Sequence, residues 1–134
     1  MHKNELATRI RELNDQHKHY AELFLRFALV AGSLGHELRE LGITEVRTHG
    51  HIRFTFLGHE IQIDYRPCVH GDRLLGKLRF TQKEVSGETP PREFFGLYYD
   101  SDRRVSASPD MQDPSWNLLD EQQAWEFLGA ALLE

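Results

Sequence analysis

Residues 51–66, HIRFTFLGHEIQIDYR, decide the fold. Apolar and polar side chains alternate along both halves, the period of a strand with one covered face. Gly58 and His59 lie between the halves as a two-residue loop with glycine first, the preference of a type II′ turn. Pairing Leu57 with Glu60 sets Phe56 opposite Ile61, Phe54 opposite Ile63 and Ile52 opposite Tyr65, so every large apolar residue falls on one face. The other face carries His51 opposite Arg66, Arg53 opposite Asp64 and Thr55 opposite Gln62, with one cross-strand ion pair.

Strand periods continue on both sides. Upstream, Thr48, His49 and Gly50 read as a three-residue loop that brings Val46 opposite Ile52 and sends Arg47 to the polar face. Downstream, Pro67 to Asp72 reads as a connection, after which Leu74, Gly76, Leu78 and Phe80 face in while Leu75, Lys77, Arg79 and Thr81 face out. Beyond a loop from Ser86 to Arg92, Phe95, Leu97 and Tyr99 lead through a turn at Ser101, Asp102 and Arg103 to Val105 and Ala107, with Phe94 and Tyr98 pointing the opposite way, so that one or both emerge on the outer side. Six strands in meander order, over residues 44–108, make an antiparallel sheet with one covered side.

Residues 1–43 read as a long helix. Alternating steps of four and three reach Leu6, Ile10, Leu13, His17, Tyr20, Phe24, Phe27, Ala31, Leu34, Leu38 and Leu41, so ten of eleven seam positions are apolar. Asn4 is the expected N-cap and Gly42 the expected stop. Unbroken, such a helix runs about 57 Å at ~1.5 Å per residue, longer than a body of this size is wide. Gly32 and Gly35 place a kink at 31–35. Between Leu23 and Leu34 the apolar set widens to include Leu25, Ala28, Leu29 and Val30, which predicts a half surrounded on most sides. Before Tyr20 the stripe is narrow, and Leu6, Ile10, Leu13, His17 and Tyr20 read as a seam for a second helix, most simply its twin in a homodimer. Protonation of His17 would then make the seam acid-sensitive. At the other terminus Asp113 and Pro114 read as an N-cap and first helical residue, opening a C-terminal helix over 114–133 with Leu118, Trp125, Leu128 and Leu132 on its apolar face. The whole is an α+β single domain, residues 1–134, with helices packed on one face of the sheet.

Composition bounds the function. At 134 residues, 40% hydrophobic and 28% charged, the chain is globular, and one domain's length excludes multi-domain machinery. The net charge of −5 disfavours a polybasic coat for nucleic acid or membrane, yet it is unevenly distributed: residues 1–43 sum to 0, 44–83 to +3 and 84–134 to −8. One cysteine, Cys68, can form neither an internal disulfide nor a thiolate zinc cage, and the charged first twenty residues do not resemble a signal peptide. The most apolar run, Leu23 to Leu34, contains Arg26 and has the length of a core helix, not of a membrane span. These features place the protein in the cytoplasm, off the membrane.

No phosphate loop, dinucleotide fingerprint, nucleophile elbow or His-Glu-x-x-His occurs, so no catalytic residue, metal ligand or cofactor is assigned. Cys68 and His70 are two apart in the connection, Asp100 and Asp102 flank a hairpin turn that itself calls for them, and His49, His51 and His59 do not converge. The constellation with most chemistry is the outer sheet face, where Arg47, His51, Arg53, Arg66, Lys77 and Arg79 point the same way with Tyr98 beside them. Guanidinium groups on a rigid sheet suit carboxylates or phosphates. Stacking aromatics are too few there for a single-strand RNA sheet. The sequence therefore predicts a small, bacterial-type interaction protein of adaptor, immunity, inhibitor or secretion-chaperone kind. It docks a macromolecular partner, protein before nucleic acid, through the basic face or the N-terminal helix. Nucleic acid or phosphate binding by the same face is the alternative.

Overall fold

The structure is a computed structural model that describes residues 2–48, 50–85, 87 and 90–133, with only the backbone of Glu45 and Arg47. Helices α1 (Lys3–Ser33) and α2 (Gly35–Glu40) precede strands β1 (Thr44–Thr48), β2 (Ile52–Phe56), β3 (His59–His70), β4 (Arg73–Glu84), β5 (Arg92–Tyr99), β6 (Arg104–Ser106) and β7 (Trp116–Asn117), and α3 (Glu121–Leu132) closes the chain. The strands form one antiparallel sheet in sequence order. This is the expected α+β fold, with β7 as a two-residue addition to the six-strand meander.

Helix α1 spans about 47 Å at ~1.5 Å per residue. Tyr20, Leu23, Phe24, Phe27, Ala28 and Ala31 form its buried stripe, and they join Ile52, Phe54, Ile61, Ile63, Leu78, Phe80 and Leu97 from the sheet and Ala124, Phe127, Leu128 and Ala131 from α3 in one core. The apolar widening is not enclosed: Leu25 and Leu29 are exposed. The helix begins one residue before Asn4, with His2 at the cap position and no side-chain cap. It ends at Leu34, between the two glycines, where α2 starts anew. After α2, Gly42 takes φ +83°, and the Ile43 N–H donates to the Leu38 carbonyl, a glycine-dependent helix stop.

Both hairpin registers differ from the sequence reading by two residues. Phe56 pairs with His59, Phe54 with Ile61 and Ile52 with Ile63, so the loop is Leu57-Gly58. Both residues have positive φ, 50° and 76°, which makes a type I′ turn. Likewise Thr48, and not Val46, pairs with Ile52. A slip of two leaves each side chain on its face, because the strand period is two. It does change cross-strand partners: Arg53 faces Gln62, not Asp64. Leu57 is 79% exposed, so it carries the steric cost of the left-handed region, about 1 kcal/mol, with little burial in return. Leu57→Asn is expected to raise stability by about 1 kcal/mol, read as a higher midpoint in urea.

Strand β3 runs straight through the expected connection to His70, and Gly71-Asp72 makes the turn into β4. Two-residue loops close on a hydrogen-bonded pair, here His70 with Arg73, so alternate residues back to Asp64 bond β4. Pro67 falls between them. Its missing N–H therefore points to the side that β2, starting opposite Ile63, does not reach. A proline at an open edge breaks no ladder bond and discourages edge-to-edge pairing.

In β5 two residues oppose one: Phe80 pairs with Phe95, but Thr81 pairs with Glu93. This bulge reverses the expected direction of Phe94, whose ring packs edge-on against Phe80, as does that of Phe95. The C-terminal helix also starts later than Asp113. Trp116 and Asn117 pair with β6 instead, and Asp120 is the N-cap, its carboxylate accepting the Gln123 N–H at 2.9 Å.

Behind β3 and β4, the rings of Tyr20, Tyr99 and Tyr65 meet in a chain of edge-on and tilted contacts. Tyr99 O–H donates to the Tyr20 carbonyl at 2.7 Å, Tyr20 O–H donates to the Leu74 carbonyl at 2.8 Å, and the Tyr65 hydroxyl meets His17 Nδ1 at 2.9 Å. Burial raises the pKa of all three phenols, pushing Tyr65 up to about 12. The nearby Asp100 charge adds to the rise at Tyr20. In each case the native state holds a proton that the unfolded chain releases near pH 10. Their contribution is thus complete below pH 10 and is lost as pH climbs toward 12. Thermal melts should move down steeply above pH 10, and tyrosinate absorbance should rise together with loss of helical signal.

Candidate functional site

The helices cover the face bearing Phe54, Ile63, Leu78 and Leu97. Alternation sends Arg53, Thr55, Glu60, Gln62, Asp64, Arg66, Lys77, Arg79, Thr81 and Lys83 to the other face, and the bulge in β5 brings Glu93 there as well. Lys83 and Glu93 were missed by the sequence reading. Glu93 could be found only by knowing where the bulge falls, whereas Lys83 follows from the alternation of β4 once the strand is extended to Glu84.

These side chains form an interleaved ion network. Glu60 lies between two cations, with Arg53 Nε at 3.0 Å and Lys83 Nζ at 3.4 Å. Asp64 also has two: Arg79 grips it with Nε at 3.0 Å and Nη2 at 2.9 Å, and Arg66 Nε stands 3.7 Å away. The bonds to Asp64 raise the Arg79 pKa further above its ordinary value. Lys77 reaches Glu93 at 3.0 Å, and its stem lies across the bare Cα of Gly96, where a Cβ would come within 2.8 Å of Lys77 Cε. The Tyr98 ring lies 5.9 Å from the same ammonium group, and Tyr98 does point to this outer side, opposite Lys77 and Ser106. Arg53 also donates to Gln62 Oε1 at 3.1 Å.

Five cations thus share three carboxylates. Arg66 is the least committed, with its side chain 56% exposed and the longest contact of the set. Toward the β3–β4 turn the polar face ends at Leu75, which is fully buried on this outer side. Ser106, opposite Tyr98, is buried as well, and so is Met111 in the connection over 107–115.

No family model, curated protein or solved structure matches this chain.

The remaining sequence candidates fall as follows. Arg47 is opposite Arg53 in the ladder, and its side chain lies outside the described residues. His49 lies outside them altogether. His51 is in the β1–β2 turn and not on the strand face, because the register places Ile52 first in β2. Cys68 and His70 share the outer face of β3, opposite Leu75 and Arg73, instead of occupying a loop. Among the described residues no three His, Cys, Asp or Glu side chains gather to hold a metal ion, and no helix is long and apolar enough to cross a membrane. Asp100 is buried and serves its turn: its carboxylate accepts the N–H groups of Asp102 and Arg104, both at 3.0 Å, and pairs with Arg104 Nε at 2.7 Å. Of the helix seam, Leu6 and Ile10 are 51% and 53% exposed. Leu13 packs on the core, His17 stacks on Tyr65 with centroids 5.4 Å apart, and Tyr20 is buried.

Proposed function

We propose that the protein is a non-enzymatic interaction protein, of adaptor, immunity, inhibitor or secretion-chaperone type, that docks an acidic protein partner on the outer face of its sheet in a reducing cytoplasm. One observation carries this reading. Glu60 and Asp64 are each shared by two cations, so a partner's carboxylate can take the second cation of each set without stripping the first. The sheet holds these groups at fixed spacing, which lowers the ordering cost of binding. Ion pairs at a protein surface typically add only about 0.2–1 kcal/mol each to folding, and the longer contacts of Arg66 and Lys83 are the ones the fold uses least.

Nucleic acid is the second reading. The interleaved carboxylates oppose a phosphate backbone, and among the described face residues only Tyr98 and the imidazole of His70 offer rings for stacking. A homodimer through α1 would rest on Leu6 and Ile10, the two seam residues left exposed. Affinity capture from the native cell with the full chain tests the proposal. The wild type is expected to retain a protein partner that the Arg53→Glu/Arg79→Glu variant loses. Unchanged capture by the variant would move the site to the helix. Retention of DNA or RNA that falls steeply with salt would establish the nucleic-acid reading instead.

A further inference from the structure

The two loosest cations of the outer face stand at opposite ends of it. Glu60 holds Arg53 at 3.0 Å and Lys83 at 3.4 Å, while Asp64 holds Arg79 through two bonds and Arg66 at 3.7 Å. Lys83 and Arg66 can therefore turn to a partner while each carboxylate keeps its closer cation, and both side chains are exposed. Lys83 is opposite Glu60 in the ladder, six residues along β3 from Arg66, which is roughly 20 Å at ~3.3 Å per residue. The carboxylates that now hold them, Glu60 and Asp64, are four residues apart, about 13 Å. Acidic groups that meet both cations at once must then stand about 13–20 Å apart. A single carboxylate or a small dicarboxylate reaches one end only.

The main chain narrows the occupant further. From Gly76 to Gln82, β4 lies between β3 and β5, so the sheet takes up its N–H and C=O groups and the outer face offers side chains alone. An extended segment laid there finds no main-chain partner, whereas a helix bonds its own groups. A helix about 10 Å across also covers two neighbouring strands, and β3 and β4 carry both cations. Residues i and i+11 lie on one side of a helix, ~16 Å apart, within the required range. We propose that the partner's contacting element is an acidic α-helix lying along β3 and β4, with carboxylates at i and i+11 on Lys83 and Arg66. Tyr98, in the ladder row of Lys77 and Arg66, offers its ring to an apolar side chain at the Arg66 end. This inference rests on the outer-face reading and adds the form and spacing of what docks there.

The test titrates the intact chain at low salt, followed by its backbone amide resonances, with three synthetic peptides of equal charge. An alanine-based helix carries glutamates on one face at i, i+4, i+7 and i+11; a second carries four glutamates spread around the helix; a threonine-rich extended peptide carries four in alternation. The one-faced helix is expected to bind about tenfold more tightly than either of the others. Arg66→Gln and Lys83→Gln should each weaken it about fivefold, the upper share of one exposed ion pair, while Arg26→Gln, which removes an exposed cation from α1, should leave it unchanged. Equal binding of the three peptides, binding of none, or a one-faced helix indifferent to Arg66→Gln and Lys83→Gln would overturn the proposal. Tighter binding of a single-stranded oligonucleotide of equal charge would overturn it as well. Capture of the native partner that is lost in Arg53→Glu/Arg79→Glu, together with equal binding of the three peptides, would keep the outer face and discard the helix.

Discussion

Phe27→Ala is expected to cost about 3–5 kcal/mol, the range for emptying a fully buried aromatic site. Phe27 has no exposed surface. Its ring lies 5.4 Å from that of Phe127 on α3 and 6.3 Å from that of Phe24, and the Phe127 ring lies 6.0 Å from Trp116. One side chain thus couples the N-terminal helix to the C-terminal helix and, through Trp116, to the last strand. The cavity cannot close by a small shift, because α1 is also fixed by the hydrogen bonds of Tyr20 to β4 and of Tyr99 to α1. Chemical denaturation followed by tryptophan fluorescence measures the loss. A loss under 1.5 kcal/mol would mean that the two helices are not packed through this residue.

Gly76→Ala is expected to cost about 3 kcal/mol, at the upper end of overpacking effects. The Tyr99 ring lies flat on the bare Cα of Gly76, and a Cβ there would fall 2.3–2.6 Å from three ring atoms. Tyr99 has nowhere to go. It is fully buried, its hydroxyl is tied to the Tyr20 carbonyl, and its ring meets Tyr20 edge-on with centroids 5.6 Å apart. Tyr99→Leu in the same chain removes the clash, so the double variant should be less unstable than the sum of the two single changes. Additive losses would place the ring elsewhere.

Much of the architecture was legible because faces depend on a period of two and helices on a period near 3.6. The inward set Ile52, Phe54, Ile61, Ile63, Leu78 and Phe80 came out right even though both hairpin registers were displaced by two residues. Register depends on the turn, and there the sequence misleads: leucine is a poor turn residue, so Gly58-His59 looked better than Leu57-Gly58. Pro67 hid the second half of β3 for a related reason. Proline ends most strands, but not where the absent N–H faces an open edge. Asp113-Pro114 imitated a helix start, while the signal that holds, Asp120 with Gln123 three residues on, was less conspicuous.

The candidate site was legible in the same proportion. Arg53, Arg66, Lys77, Arg79 and Tyr98 share a face because alternation alone settles it. Their partners were not readable. Asp64 meets Arg79 from β4 and not Arg53 from β2, and Glu93 arrives only through a bulge that no local pattern announces. His51 left the face when its strand began one residue later.

Arg66 offers the most direct test of the account, since it is the cation on the docking face that the fold uses least. Arg66→Glu should leave the melting temperature within about 2 °C of wild type, the shift that roughly half a kcal/mol produces in a domain of this size, while the captured partner binds at least about tenfold more weakly by calorimetric titration. Wild-type affinity in a folded Arg66→Glu protein would contradict the claim that the outer sheet face is where the partner docks.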